Sequence, residues 1–377
     1  MFKSGKRQVN MKRALIDISG RSNSGPVIAI ELAKALAENG YEVYAVVAKD
    51  SMNLKDWLQE KSLKEVYVIQ TYTSLKNVIP MSLEFQLIEK QKIKKHFKGI
   101  QFDYVFKPIF HIWAEGIAAQ VDTNKIVTLC HDPVMHSGEN ALKHLLYKRH
   151  IKNSDEVVVL TKSFKDVVSR NYGFSLDRVH YMPHGLMRVY KEKQNKTIPC
   201  KYDADKVNFL FFGRVQKYKG IEVLLDAYEK LRKKYSNVSL TIAGKGKVEG
   251  CLLESNHEKN IRVINDYIPD EEVGCYFDGP NIVTVLPYLD ATQSGVIPIA
   301  MEYGTPIIAS DTGGLREQML DGAFGVFTRV GDSDDLAEKM KLFVENQKLF
   351  VQQQEIMNSA VKQLEWKEVV AKLLEEI

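Results

Sequence analysis

Short apolar runs separated by helix-like segments recur along the whole chain, and this alternation constrains the fold more than any other feature. In the first half the runs are RALIDIS (13–19), YEVYAVVA (41–48), EVYVI (65–69), YVFKP (104–108), KIVTLC (125–130) and EVVVL (156–160). They are too short for helices and rich in β-branched and aromatic residues, which favour strands. Between the first two lies PVIAIELAKALAENG, with Pro26 near its start and Gly40 past its end, the punctuation of a helix. Strands apolar on both faces and separated by helices belong to a parallel sheet covered on both sides. The polar, aperiodic run MRVYKEKQNKTIPCKYDADK (187–206) interrupts the pattern, which then restarts. VNFLFFG (207–213), the helix IEVLLDAYEKLRKKY (221–235), VSLTIAG (238–244), IRVIN (261–265), IVTVLP (282–287), PIIAS (306–310) and GVFTR (325–329) form a second series.

The fold class implied is α/β with two Rossmann-like domains, since 377 residues exceed what one hydrophobic core usually serves. The boundaries expected are 11–187 for the first domain, 188–206 for a linker and 207–357 for the second domain. A last amphipathic helix, SAVKQLEWKEVVAKLLEEI, falls within 358–377. The four cysteines, Cys130, Cys200, Cys251 and Cys275, are scattered without a CxxC pair, which fits a reducing compartment and argues against a zinc ribbon. The basic start is not followed by an apolar stretch of signal-peptide type, and no window reads as a membrane span, so a cytoplasmic protein is expected. Charge is uneven. Residues 1–190 carry 28 Lys+Arg against 19 Asp+Glu, and residues 191–377 carry 24 against 29. A basic first half suits a membrane surface, a phosphorylated acceptor or nucleic acid.

Three stretches carry candidate chemistry. In FLFFGRVQKYKGIEVLLDAYEKL (209–231) a strand ends at Gly213, Arg214 and Lys219 occupy the loop, and Gly220 precedes a helix. Two cations at a strand's carboxyl end beside a helix N-terminus suit a diphosphate, while the plain alternative is a basic surface loop. In ATQSGVIPIAMEYGTPIIASDTGG (291–314) Ser294-Gly295 opens a helix whose first amides, those of Gly295 and Val296, would face an anion, and DTGG opens a second helix. Tight turning is the plain alternative for these glycines, and helix capping for Glu317. In the first half Ser24-Gly25 opens a helix without a GxGxxG pattern, so a dinucleotide cofactor is disfavoured. LCHDPVMHSGEN (129–140) groups His131, Asp132 and His136. A metal site there lacks further ligands at useful spacing. A catalytic or substrate-orienting His131 competes with hydrogen bonding of the turn, the reading that suits His136. Finally, LEFQLIEKQKIKKHFKG (83–99) mixes apolar residues with Lys90, Lys92, Lys94, Lys95 and Lys98, a composition of either a solvated helix face or a surface for an anionic bilayer.

FFGRVQKYKGIEVLLDA, LTIAGKG, VINDYIPDEEV and GVIPIAMEYGTPIIASDTGGLREQMLDGAFGVFTRVGDSDDLAEKM, in this order and spacing, resemble the C-terminal half of the retaining family-4 glycosyltransferases. SGPVIAIELAKALAENGYEV, LCHDP, VVLTKSF and YMPHG extend the resemblance over most of the chain. It implies a GT-B architecture, two Rossmann-like domains facing across a cleft, with the C-terminal helix crossing back to the first domain. It also implies a nucleotide-diphosphate sugar as donor on the second domain, a UDP-sugar ahead of a GDP-sugar, and a glycan or lipid-linked acceptor on the first. Nucleic acid then drops out as a partner, and the basic half fits peripheral contact with an anionic membrane at the inner face of the plasma membrane. By position, Arg214 and Lys219 would hold the diphosphate beside Gly213. Asp266, Tyr267 and Ile268 would border the base, His131 would face the reacting sugar, and Ser24 and Gly25 would approach the phosphate.

The family's two glutamates, eight positions apart, fall here on Ala291 and Ile299. Asp290, Thr292 or Gln293 are the neighbours that could replace the first, and Glu302, one turn beyond Ile299, the second, although a solvent-facing Glu302 is the plainer reading. The chemistry implied is transfer of a sugar with retention, in which Arg214, Lys219 and helix-terminus amides stabilise the leaving diphosphate, so that neither a cofactor nor a metal is required. Two other classes are compatible with the resemblance: a catalytically silent GT-B protein binding a sugar nucleotide or a partner subunit, and a sugar-nucleotide epimerase, for which the usual carboxylate and histidine set is missing.

Overall fold

The computed structural model describes residues 11–20, 25–74, 76–134, 141–198, 202–247 and 254–377, in two compact units: 1–182 with 366–377, and 183–365. The first unit is built on β1 (Arg13–Ile18), β2 (Glu42–Ala48), β3 (Glu65–Ile69), β4 (Gln101–Lys107), β5 (Asp122–Cys130), β6 (Glu156–Val159) and β7 (Val179–Tyr181). They pair in the order β3-β2-β1-β4-β5-β6-β7, every pair parallel. The second unit holds β8 (Val207–Phe212), β9 (Val238–Ala243), β10 (Ile261–Ile264), β11 (Ile282–Leu286), β12 (Ile307–Ser310) and β13 (Gly325–Thr328). Their order is β10-β9-β8-β11-β12-β13, again all parallel. The α/β class expected from the alternation is therefore present as two doubly wound sheets. Only β7 has no counterpart in the sequence reading, because three residues are too few to show a period.

Parallel strands bury both faces, and the residues comply: Val43, Ala45, Val105, Phe106, Val157 and Val158 are fully buried in the first sheet, as are Phe209, Phe211, Leu240, Ile242, Val283 and Val285 in the second. In each sheet the strand order reverses once, between β1 and β4 and between β8 and β11. Crossover helices leave these two adjacent strands in opposite directions, so the loops at their carboxyl ends part and leave a crevice.

The C-terminal helix Trp366–Glu376 belongs to the first unit. Trp366, Val369, Val370 and Leu373 share one apolar cluster with Ile28, Leu32 and Leu36 of the helix Gly25–Glu38. Asn39 Nδ2 donates to Lys367 O at 3.0 Å, and Tyr104 Oη donates to Ile377 O at 3.1 Å. The polar run at 188–206, taken as a linker from its composition, folds onto the second unit over its first residues. Val189 is buried, Asn195 N donates to Glu271 O at 2.9 Å, and Lys193 Nζ lies 3.3 Å from Asp270 Oδ2. Its polarity serves ion pairs and hydrogen bonds rather than solvent alone.

Trp366→Ala removes a large buried ring from the cluster that holds the returning helix. It is expected to cost about 3–5 kcal/mol, read as a lowered midpoint in urea or thermal unfolding.

Candidate functional site

β8 runs out of the sheet at Phe212, and Gly213 turns the chain with a φ of 115°. The next residues are anchored by main-chain bonds: Val215 N donates to Lys245 O at 3.0 Å, and Leu289 N, just past β11, donates to Tyr218 O at 2.7 Å. A single 3₁₀ turn, Lys217–Lys219, leads to Gly220, whose φ is 67°. A Cβ at Gly220 would lie 1.8 Å from Pro287 O, so only glycine lets the loop lie against the backbone that leaves β11. Arg214 on this loop is exposed and Lys219 is half-buried. Neither has an acid partner among the described residues. Lys219 Nζ instead sits 3.6 Å from the centroid of the Tyr288 ring, which is fully buried, and 5.1 Å from that of Tyr218. Burial lowers the Lys219 pKa to about 8 against the opposing pull of Tyr218, and the like charge of Arg214 lowers it further.

The second wall of this crevice is the helix Val296–Tyr303 and the loop before it. Ser294 is buried; its Oγ lies 3.1 Å from Tyr288 Oη and accepts from Val296 N at 3.3 Å. Gln318 clamps the same residue from the other side, accepting from Ser294 N at 2.7 Å and donating to Ser294 O at 3.3 Å. Of the two amides expected to face an anion, that of Val296 is thus taken by Ser294, and that of Gly295 has no partner among the described residues. Gly295 has φ −68° and ψ −8°, and a Cβ there would meet nothing within 4 Å. The DTGG turn behaves differently from the expectation of a second anion-facing helix. The helix after it is only Leu315–Gln318, too short to sum a useful dipole. Its glycines serve close approach instead: a Cβ at Gly313 would fall 1.5 Å from Ala291 O, and Gly314 N donates to Thr292 O at 3.2 Å.

Ala291 and Ile299 are both buried, and Thr292 and Gln293 are half-buried beside Ser294. Glu302 neither faces solvent nor points at the crevice loop. Its carboxylate pairs with Lys191 at 3.4 Å and Arg188 at 3.7 Å, fastening the short helix Val189–Glu192, and burial raises its pKa against those two cations. Asp266 and Tyr267 are exposed and Ile268 is buried at the carboxyl end of the edge strand β10. Asp266 Oδ1 accepts from Tyr267 N at 2.8 Å and lies 3.6 Å from Lys245 Nζ.

In the first unit, Ser24 and His136 lie outside the described residues. Gly25 starts its helix against Ile109, with a Cβ there falling 2.6 Å from Ile109 Cδ1. His131, just past β5, bonds through Nε2 to Pro108 O at 2.8 Å, which ties it to the end of β4. Beneath these loops Lys107 is fully buried, its ammonium donating to His150 O at 3.0 Å and Asn153 O at 3.2 Å and lying 3.4 Å from Glu115 Oε1. Asp17 is buried in β1, and desolvation raises its pKa to about 7. Tyr288 and Gln318 were missed by the reading of the sequence. A tyrosine directly after an apolar strand was the available signal for the first; for Gln318 there was none.

Residues 194–363 match the family model for glycosyl transferases group 1, and residues 26–186 match that for glycosyltransferase family 4. The chain is 24% identical over 341 residues to a D-inositol 3-phosphate glycosyltransferase of Pseudarthrobacter chlorophenolicus, covering 82% of this chain and 79% of that one. Among solved structures it resembles Anabaena Alr3699/HepE in complex with UDP, with TM-score 0.67, 15% identity, and coverage of 97% and 100%. It also resembles a sucrose-phosphate synthase of Thermosynechococcus elongatus, with TM-score 0.68, 16% identity, and coverage of 97% and 98%.

The two glycines of the second wall are expected to separate in stability. Gly313→Ala forces a left-handed φ and a backbone clash, and should cost about 2 kcal/mol or more. Gly295→Ala, in an ordinary helical conformation with open space, should leave the unfolding midpoint unchanged or slightly raised.

Proposed function

Since the chain belongs to the family-4 glycosyltransferases with the GT-B fold, we propose that it moves a sugar, with retention of anomeric configuration, from a nucleotide-diphosphate sugar to a glycan or lipid-linked acceptor in building a cell-surface polysaccharide or glycolipid. The observation that carries the donor assignment is the pair Arg214 and Lys219, free of acid partners among the described residues, at the β8/β11 reversal. UDP in a structural relative supports a UDP-sugar ahead of a GDP-sugar. The bond from the anomeric carbon to the diphosphate breaks and one to the acceptor oxygen forms on the same face. The acceptor proton passes to the departing phosphate oxygen. Charge grows on the leaving diphosphate, and the two cations with the Gly295 amide oppose it. Those cations do the work that a metal would otherwise do, so no metal is called for. The base would lie towards Asp266–Ile268. A catalytically silent sugar-nucleotide binder is the second reading, favoured by buried Ala291 and Ile299 where the family carries glutamates.

The acceptor side includes a surface for an anionic membrane. Helical residues Val78–His96 contain a π turn, Phe85–Glu89. Phe85 and Ile93 face inwards, Phe85 stacking on Trp113 at 4.5 Å. Outwards, Ile79, Leu83 and Leu87 are 73, 59 and 74% exposed. Four-residue steps bring successive side chains back to within about 40° of one another on an α-helix. Exposed Lys92, Lys94, Lys95 and Lys98 follow. An apolar stripe leading into a cationic end is the pattern of a helix lying in a bilayer interface. No helix among the described residues is long and apolar enough to cross a membrane.

Thermal shift with a panel of UDP-, GDP- and dTDP-sugars, followed by transfer assays, tests the donor reading. A stabilising donor that is transferred supports it. Binding without transfer or hydrolysis selects the silent binder, and no binding sinks both. Arg214→Ala and Lys219→Ala should each lower transfer by about 100-fold or more. Because a bound diphosphate favours the charged amine, donor affinity should fall by up to about tenfold per pH unit as pH rises above about 8, and Lys219→Arg should flatten that fall. Co-sedimentation should show binding to anionic but not neutral vesicles, lost in Leu83→Glu/Leu87→Glu. Wild-type protein that stays in the supernatant with anionic vesicles rules out the membrane surface.

A further inference from the structure

The Lys219 ammonium is held without an acid. Its neighbours are the Tyr288 ring at 3.6 Å, the Tyr218 ring at 5.1 Å and the like charge of Arg214. A carboxylate here would hold the amine equally well but would neutralise it and compete with an incoming diphosphate. An aromatic face attracts the cation through its quadrupole while leaving its full charge for a ligand. The same Tyr288 reaches the other wall, since its hydroxyl lies 3.1 Å from Ser294 Oγ. Ser294 is the residue that takes up the Val296 amide at 3.3 Å and so leaves the neighbouring Gly295 amide as the open donor. Its own main chain is gripped at both ends by the Gln318 amide, at 2.7 and 3.3 Å. Charge and amide donor are thus tied into one unbroken line of contacts: Lys219, Tyr288, Ser294, Gln318.

We infer that Tyr288 and Gln318 are positioning residues for diphosphate binding, the first setting Lys219 and Ser294 at a fixed separation and the second fixing the orientation of Ser294 and the Gly295 amide. The inference rests on the donor-site reading given above. Neither residue touches the ligand; both act through Lys219 and Gly295. The consequence is selectivity for the diphosphate part of a nucleotide, with no effect on recognition of the base.

Calorimetry with UDP, GDP, uridine and inorganic pyrophosphate, on wild type, Tyr288→Phe, Tyr288→Leu and Gln318→Leu, tests this. Tyr288→Phe keeps the ring and loses the tie to Ser294. It should weaken UDP or GDP and pyrophosphate by about tenfold, leave uridine binding as in wild type, and keep the pH at which affinity falls. Tyr288→Leu removes the ring and should move that pH by about one unit. Gln318→Leu alters a half-buried side chain, retains the fold, and should reproduce the diphosphate loss of Tyr288→Phe. The Tyr288→Phe/Gln318→Leu double variant should lose no more than either single one, because the two break the same line of contacts. Variants that bind pyrophosphate and nucleoside diphosphate as wild type does, or that weaken uridine equally, overturn the positioning role while leaving the donor site standing. Wild-type protein that binds none of UDP, GDP or pyrophosphate overturns the donor site and the positioning role together.

Discussion

Parallel pairing decides where this protein can do chemistry. When every strand of a sheet runs the same way, every carboxyl end opens on one edge, and the loops that leave those ends are the only ones that can meet there. Both sheets obey this constraint, and in both the strand order reverses once. At the β8/β11 reversal the loop after one strand brings Arg214 and Lys219, and the loop after the other brings Tyr288 and Ser294.

Building that crevice depends on backbone coming very close to backbone. Gly220 against Pro287, Gly244 against Gly213 and Gly313 against Ala291 are places where a side chain would run into backbone. They explain the glycine-rich appearance of the segment better than a row of phosphate-binding turns does. At Gly295, by contrast, a Cβ would meet nothing within 4 Å, and its φ of −68° is open to any residue. The electrostatics follow the same division. Some cations of the second unit are spent on acids, as with Arg188 and Lys191 on Glu302 or Arg316 on Asp311. Arg214 and Lys219 are left uncompensated within the described residues, at a desolvation cost visible in the lowered pKa of Lys219.

Function in this family is carried by grafted sites on a shared fold, so the departures from pattern matter most. Ala291 and Ile299 are not gaps in the crevice lining; they are buried, and the chain around them is fastened by main-chain bonds and by Gln318. The polar contacts of this segment centre instead on Ser294, held by Tyr288 and Gln318. Glu302, the nearest remaining acid on that helix, is committed to holding the run after residue 187 against the second unit.

Much of this was legible in the residues alone. Twelve of the thirteen strands follow from apolar runs bounded by turns, because burial on both faces of a parallel strand writes itself into composition. The Arg214/Lys219 loop was legible because its charges stand directly between a strand and a helix. The run at 188–206 reads as a linker because polarity in a sequence does not distinguish side chains in solvent from side chains in ion pairs. What the sequence by itself determined is the two-sheet architecture and the position of the cationic loop, since local pattern suffices for both. What only the tertiary structure decided is which groups those cations meet. The ring beneath Lys219, the Gln318 clamp on Ser294 across 24 residues of chain, and the return of Trp366 to the first unit are contacts between distant segments. No local period encodes them; they exist because strand order, and not chain order, sets which loops become neighbours.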